Sequence, residues 1–279
     1  MPFKDILVAL NSYPDPTPVS AVEDAVSVAT TLGAHLAALS CETRVQVPGH
    51  FVSAPMVSGI IAGEAAKSRK SAHELLAAFD TAAEKAGIPR ETIFEKCLTL
   101  EIPDMLVEYA RLRDLTILPA SSDLWYAEAV IFGSGRPTLI LPVSLKRRPF
   151  RVGTVAVAWD FSRAAARAVS DAMPILEVAK KVRIVTVINE KALDTRRSGE
   201  ELAKNLSRHG IDVVLDKVDA ADGSVGGSIG EVLEAYTSSQ GADLLVMGAY
   251  GHSKWREFVL GGATRSLLSK PPLPILLSH

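Results

Sequence analysis

Four glycines near the end of the chain have a spacing that could serve ligand binding. Gly248, Gly251, Gly261 and Gly262 form the pattern G-x2-G-x9-G-G, and the pattern starts at the end of the apolar run Asp243–Gly248. Glycine allows the backbone to turn sharply and to approach a bound group where a Cβ atom would obstruct it. In open α/β sheets, ligands bind beyond the carboxyl ends of strands. The pattern therefore predicts a ligand site where this strand ends.

The second glycine pair is expected to bind an anion. Gly261 and Gly262 precede a predicted helix, Arg265–Ser269. Free backbone amides of Gly262, Ala263 and Thr264 can surround phosphate oxygens there, helped by the positive end of the helix dipole. The Thr264 hydroxyl adds one donor. This segment thus predicts a phosphate site built mainly from backbone.

Asp160 is the acidic residue best placed to complete such a site. It directly follows the predicted strand Thr154–Trp159, so it belongs to the same carboxyl edge as the glycine loop. A carboxylate there could accept hydrogen bonds from a ribose hydroxyl or an adenine amino group. Alternatively, Asp160 is only the N-cap of the helix predicted to begin at Ser162. Asp160 alone favours the cap, and the neighbouring glycine loop favours the ligand-binding role.

The elements that position these residues occur twice along the chain. Each half shows five apolar strands alternating with helices, in the same order. The predicted strands are Asp5–Leu10, Leu36–Ser40, Thr92–Leu98, Asp114–Pro119 and Pro137–Leu141, then Thr154–Trp159, Val182–Ile188, Asp212–Val218, Asp243–Gly248 and Pro274–Leu277. The predicted helices are Pro18–Leu32, Glu64–Ala86 and Pro103–Arg111, then Ser162–Val178, Gly199–His209 and Ile229–Ser238.

Strands that are apolar at successive positions and alternate with helices indicate a parallel sheet buried on both faces. We therefore predict an α/β fold with two tandem doubly wound parallel five-stranded sheets. The predicted domains are residues 1–146 and 151–279, joined near Leu145–Arg151.

The chain resembles the universal stress protein family, specifically its two-domain members. The resemblance is carried by Asp160 after one strand, by Met247 and the glycine pattern after another, and by the tandem arrangement. The resemblance covers essentially the whole chain. It implies an adenine-nucleotide α-hydrolase-like fold with strand order 3-2-1-4-5 in each half. It also implies that ATP, with or without Mg²⁺, binds between the first and fourth strands of the half that carries the glycines.

The resemblance assigns each matching position an expected contact with the nucleotide. The adenosine part would contact Ala158 and Asp160, adenine would be flanked by Val187 or Ile188, the ribose side would be lined by Met247 and Gly248, and the phosphates would be held by Gly251, Gly261, Gly262, Ala263 and Thr264. Many nucleotide-binding members have Ser or Thr where this chain has Gly262. One hydroxyl contact is therefore lost, whereas the amide contact survives.

The resemblance further implies that terminal strands such as Pro274–Ser278 pair across a subunit interface. An apolar edge strand suits such pairing. We expect the two halves of this chain to imitate such a dimer. Association of two whole chains into a homodimer stays open.

The first half departs from the nucleotide-binding pattern. Asn11 stands where the second half has Asp160, and Pro119, which has no N–H to donate, stands where it has Gly248. Only 17 residues separate Pro119 from Pro137, whereas 25 separate Gly248 from Pro274. We expect the first half to bind no nucleotide and to have a structural or regulatory role.

Composition narrows the function classes. The net charge of −2 disfavours nucleic acid and anionic membranes as partners, and no apolar run is long enough to span a bilayer. The start of the chain lacks signal-peptide features, and only Cys41 and Cys97 occur, which predicts a reduced, cytoplasmic protein. We assign the two cysteines no role.

No catalytic motif accompanies the predicted nucleotide site. The chain has no nucleophile with a spaced base, no H-E-x-x-H helix and no G-x-S-x-G turn. The leading hypothesis is a stress-response protein whose ATP occupancy alters binding of an unknown protein partner. The alternatives are an interaction or scaffold module that binds no nucleotide and, ranked last, a slow ATP hydrolase.

Overall fold

The computed structural model describes residues 2–44, 55–121, 124–143, 149–188, 199–219, 228–249 and 267–279, with side chains of the long second helix from residue 59 onward. The first half contains β1 (Asp5–Ala9), α1 (Val19–Leu32), β2 (His35–Arg44), α2 (Pro55–Ala86), β3 (Arg90–Leu98), α3 (Ile102–Arg111), β4 (Leu115–Pro119), α4 (Trp125–Gly133) and β5 (Thr138–Leu141). The second half contains β6 (Thr154–Ala158), α5 (Arg163–Leu176), β7 (Lys181–Ile188), α6 (Gly199–Arg208), β8 (Val213–Asp219), α7 (Ile229–Ser239), β9 (Leu244–Gly248) and β10 (Ile275–Ser278).

The strands form one ten-stranded sheet in the order β3-β2-β1-β4-β5-β10-β9-β6-β7-β8. Within each half all neighbouring strands are parallel. Each half therefore has the order third, second, first, fourth, fifth. The predicted α/β fold and strand order are confirmed.

The two halves join through their fifth strands. β5 and β10 are antiparallel, with Leu276 opposite Leu139 and Ile275 opposite Ile140. The two predicted five-stranded sheets are therefore joined into one continuous sheet. The terminal strand that the resemblance assigned to a subunit interface pairs here with the other half of its own chain, as expected for a chain whose halves imitate a dimer.

The sheet is buried on both faces, which explains the apolar runs in the sequence. On one face the core includes Val8, Leu139, Val155 and Leu276, so it continues from one half into the other. The opposite face has a second apolar cluster that likewise draws on both halves. Because strand side chains alternate between faces, successive residues of a doubly covered strand must all be apolar.

Each predicted strand has an observed counterpart, and β2 extends to Arg44, four residues beyond its predicted end. The predicted helix Arg265–Ser269 begins outside the described residues. Two other helices differ from the prediction. α2 begins at Pro55 rather than at Glu64. α4, Trp125–Gly133, was not predicted, because apolar residues occupy nearly all of its positions and so show no helical period. α4 packs on the sheet through Val130 and Ile131, which are both buried.

Candidate functional site

The predicted site lies where β6 and β9 end side by side. These first and fourth strands of the second half are parallel neighbours, with Val157 opposite Val246. The next strands in the sheet, β7 and β10, lie on opposite sides of this pair, β7 beside β6 and β10 beside β9. Chain connections therefore diverge at this edge, which is where ligands bind in open α/β sheets.

A tight turn carries Asp160 from β6 into α5. The Ser162 backbone N–H donates to Asp160 Oδ1 at 3.0 Å, and the Ala165 N–H donates to Ser162 Oγ at 3.0 Å. Ser162 is therefore the N-cap of α5, and Asp160 is not. Asp160 Oδ2 has no hydrogen bond to any residue that the structure describes.

Phe161, in the middle of this turn, has a backbone conformation that is rare for its residue type. Its φ is +60°, in the left-handed region. A bulky side chain is uncommon there and costs free energy, and such outliers cluster at functional sites. The Phe161 ring packs against Trp159, with ring centroids 5.4 Å apart. Sequence reasoning missed this residue, because a strained φ has no signature in the pattern Asp-Phe-Ser.

The sheet beside the predicted site has an apolar face. Ala158, Val187 and Met247 belong to the same cluster on one face of the sheet. Ile188 follows Val187 in β7, so alternation points its side chain to the opposite face. Of the two residues predicted to flank adenine, only Val187 therefore shares the face of Ala158 and Met247.

Gly248 ends β9 against the first turn of α5. A Cβ atom at this position would overlap the backbone of Ala164 and Ala165. The close approach of strand and helix therefore requires glycine here. This requirement is independent of the predicted role of Gly248 beside a ribose. Pro119 occupies the matching place at the end of β4.

The phosphate-binding part of the prediction falls in residues 250–266. The residues expected to hold the phosphates lie outside the described residues, so their assigned contacts remain predictions. They are Gly251, Gly261, Gly262, Ala263 and Thr264. Among the residues that are described, no group of three or more His, Cys, Asp or Glu side chains could hold a metal ion. Within the same ranges, no helix has the length and apolar character required to cross a membrane.

The corresponding place in the first half is built differently. Asn11 Nδ2 donates to the Asp15 carbonyl at 2.9 Å, and the Asn11 N–H donates to Thr17 Oγ1 at 2.9 Å. Asn11 Oδ1 accepts from the Tyr13 N–H at 3.5 Å. Both ends of the Asn11 amide are thus engaged within its own loop, whereas among the described residues Asp160 has a partner at one oxygen only.

Known proteins are similar to the second half in sequence and to the whole chain in fold. The model of the universal stress protein family matches residues 152–279. These residues belong to the universal stress protein family. Universal stress protein Slr1230 of Synechocystis is 41% identical over 46 residues, a segment that spans 16% of this chain and 16% of that protein.

Solved universal stress proteins resemble the structure over almost its full length. One from Archaeoglobus fulgidus is 16% identical, with a TM-score of 0.70 over 99% of this chain and 96% of that chain. One from Pseudomonas aeruginosa, described as putative, is 17% identical, with a TM-score of 0.56 over 99% and 93%. At these identities the likeness establishes the fold, and it extends through the first half.

Proposed function

We propose that the second half binds ATP at the carboxyl ends of β6 and β9, and that its occupancy regulates binding of a protein partner. The base would lie on Ala158, Val187 and Met247, which form an apolar floor. The ribose would donate to Asp160, and the amides around Gly261 would hold the phosphates. Chemistry on the nucleotide is not required for this function.

The observation that carries the proposal is the state of Asp160. One of its oxygens is fixed by the Ser162 N–H, so the carboxylate is oriented before a ligand arrives. The other oxygen has no partner among the described residues, at the edge where the chain connections diverge. A pre-oriented acceptor loses little entropy when it binds, which favours affinity for a hydroxyl donor.

Isothermal titration calorimetry with ATP, with and without Mg²⁺, tests the proposal. Wild type is expected to bind one ATP per chain. Asp160→Asn keeps an acceptor for Ser162 but removes the charge and the second acceptor oxygen. A hydrogen bond to a charged group contributes about 1.5–3 kcal/mol, so affinity should fall by about tenfold or more. Gly261→Val should abolish binding, because its side chain would occupy the phosphate position.

Asn11→Ala is the matched control, because Asn11 is the first-half counterpart of Asp160. It should leave ATP affinity unchanged. Equal binding by wild type and by a protein carrying both Gly261→Val and Asp160→Ala would refute the site. Absence of ATP binding by well-folded wild type would favour the alternative, an interaction module without a nucleotide.

A further inference from the structure

The first half contains a cavity at the place that corresponds to the candidate nucleotide site. Its volume is about 310 Å³, and it lies beyond the ends of β1 and β4, next to Ala9 and Pro119. Ala9 and Pro119 end these strands as Ala158 and Gly248 end β6 and β9. Pockets for small molecules have volumes of roughly 300–1,000 Å³, so the cavity is large enough for one.

A difference in helix start accounts for this cavity. α5 begins at Arg163, directly after the Asp160 turn, and its first turn packs on Gly248. α1 begins only at Val19, and residues 15–18 of the preceding loop form one wall of the cavity. The helix is therefore set back from the strand end, which leaves space there and lets a proline replace the glycine.

The cavity surface is predominantly apolar. The sheet contributes Leu39, Leu118 and Ile140, and α3 contributes Ile102 and Leu106. All five of these side chains are buried. Contact with them favours apolar ligand surface, because that surface is removed from water on binding.

Three polar residues in the wall already have hydrogen-bond partners. The Asn11 amide bonds within its own loop, as described above, and Thr17 Oγ1 accepts from the Asn11 N–H. Ser40 Oγ donates to the Leu10 carbonyl at 2.9 Å. A ligand with strong donors or acceptors would lose hydrogen bonds to water and regain few from these groups.

Charge also selects against an anion. Among the described residues that line the cavity, Asp15 is the single charged one, and none is Lys, Arg or His. Pro16, Pro18 and Pro119 also line it and have no N–H to offer a phosphate. The described lining thus offers no cationic side chain to a phosphate, and its one carboxylate would repel an anion.

We propose that this first-half cavity binds an uncharged, predominantly apolar small molecule, independently of the nucleotide in the second half. The chain would then join two sensors of different chemistry in one sheet. The proposal does not depend on ATP binding, since the cavity and its lining belong to the first half almost entirely.

Two fluorescent probes of matched shape test the charge selectivity. N-phenyl-1-naphthylamine is uncharged, and 1-anilinonaphthalene-8-sulfonate has the same ring system with an added sulfonate. The uncharged probe should bind one site per chain with enhanced, blue-shifted emission, and the anion should bind at least about tenfold more weakly. Asp15→Lys exchanges the exposed carboxylate for a cation and should reduce the difference in affinity between the uncharged and the anionic probe.

Methionine methyl NMR locates the bound probe in unaltered protein. The chain has five methionines; Met105 lines the cavity, and Met247 lies in β9 at the predicted nucleotide site. N-phenyl-1-naphthylamine should shift the Met105 methyl resonance and leave that of Met247 in place. Prior saturation with ATP should not weaken probe binding.

A blocking variant provides the second measurement. Ala9→Phe should fill the cavity and weaken probe binding by about tenfold or more, since a packed interior has no spare volume for both rings. The matched variant Ala158→Phe, in the second half, should bind the probe normally. Perturbation of Met247 rather than Met105, displacement of the probe by ATP, or tighter binding of the anionic probe by wild type would each overturn the proposal.

Discussion

At the scale of single residues, the turn from Asp160 to Ser162 combines three tasks. Ser162 caps α5, Asp160 accepts the Ser162 N–H through one carboxylate oxygen, and Phe161 lies between them with a φ of +60°. The left-handed conformation costs non-glycine residues roughly 1–2 kcal/mol. That cost is tolerated because the cap and the aspartate hydrogen bond hold the residues on either side.

The strain at Phe161 can be measured with two substitutions that both remove the ring. Asn adopts the left-handed region readily, whereas β-branched Val does not. We expect Phe161→Val to be less stable than Phe161→Asn by about 1 kcal/mol in urea unfolding. Equal stability of the two variants would mean that the turn relaxes to another backbone conformation, and the strain argument would fail.

At the scale of elements, both halves attach the helix after the third strand in the same way. Tyr109 of α3 donates to Glu95 Oε1 of β3 at 2.6 Å, and Tyr236 of α7 donates to Asp216 Oδ2 of β8 at 2.5 Å. Arg183 of β7 also bonds Asp216, at 3.0 Å. These hydroxyl contacts hold the helix against the strand in each half.

The same contacts predict a loss of stability at high pH. The hydrogen bond to Glu95, together with burial, raises the pKa of Tyr109 to about 12, and burial, together with the bond to Asp216, raises the pKa of Tyr236 to about 12. The neutral phenols stabilise the fold below the unfolded-state pKa of about 10, and this contribution is lost as pH rises from about 10 to 12.

Tyrosinate absorbance and urea unfolding, measured across this pH range, check the prediction. Two of the five tyrosines should ionise near pH 12 while the protein is folded. Tyr236→Phe should remove one of these late steps and make stability fall less steeply. Tyr13→Phe should leave both late steps in place, and their persistence in a Tyr109→Phe, Tyr236→Phe double variant would contradict the assignment.

At the scale of the whole molecule, the two halves share their sheet and both apolar layers. β5 and β10 pair edge to edge, and the ring of Phe132 in α4 meets the ring of His279 after β10, with centroids 5.1 Å apart. We propose that residues 1–146 and 151–279 are nevertheless two domains, since each has a complete five-stranded order. Separating them would expose an unpaired apolar edge strand on each.

An isolated fragment 151–279 should therefore self-associate. An uncovered edge strand is a template for pairing with another chain, and β10 can pair with itself in the antiparallel sense that it uses with β5. Sedimentation equilibrium should give a dimer. Added fragment 1–146 should compete and produce a one-to-one complex, whereas a folded fragment that stays monomeric at high concentration would contradict the expected edge pairing.

The sequence by itself determined the local pattern of this protein. Apolar strands alternating with helices, written twice, predicted the α/β fold, and the resemblance supplied the strand order that the structure confirms. The sequence also placed Asp160 at a strand end beside the last residues of β9. These features follow from nearest neighbours along the chain, because burial on both faces dictates side-chain type at each strand position.

Only the tertiary structure decided how those elements meet. Ser162 rather than Asp160 caps α5, Gly248 is glycine because a helix approaches it, and β5 pairs with β10. The cavity beside Pro119 likewise depends on where α1 begins relative to a strand distant in sequence. Such facts are set by packing between segments far apart in the chain, and residue spacing carries no record of those distances.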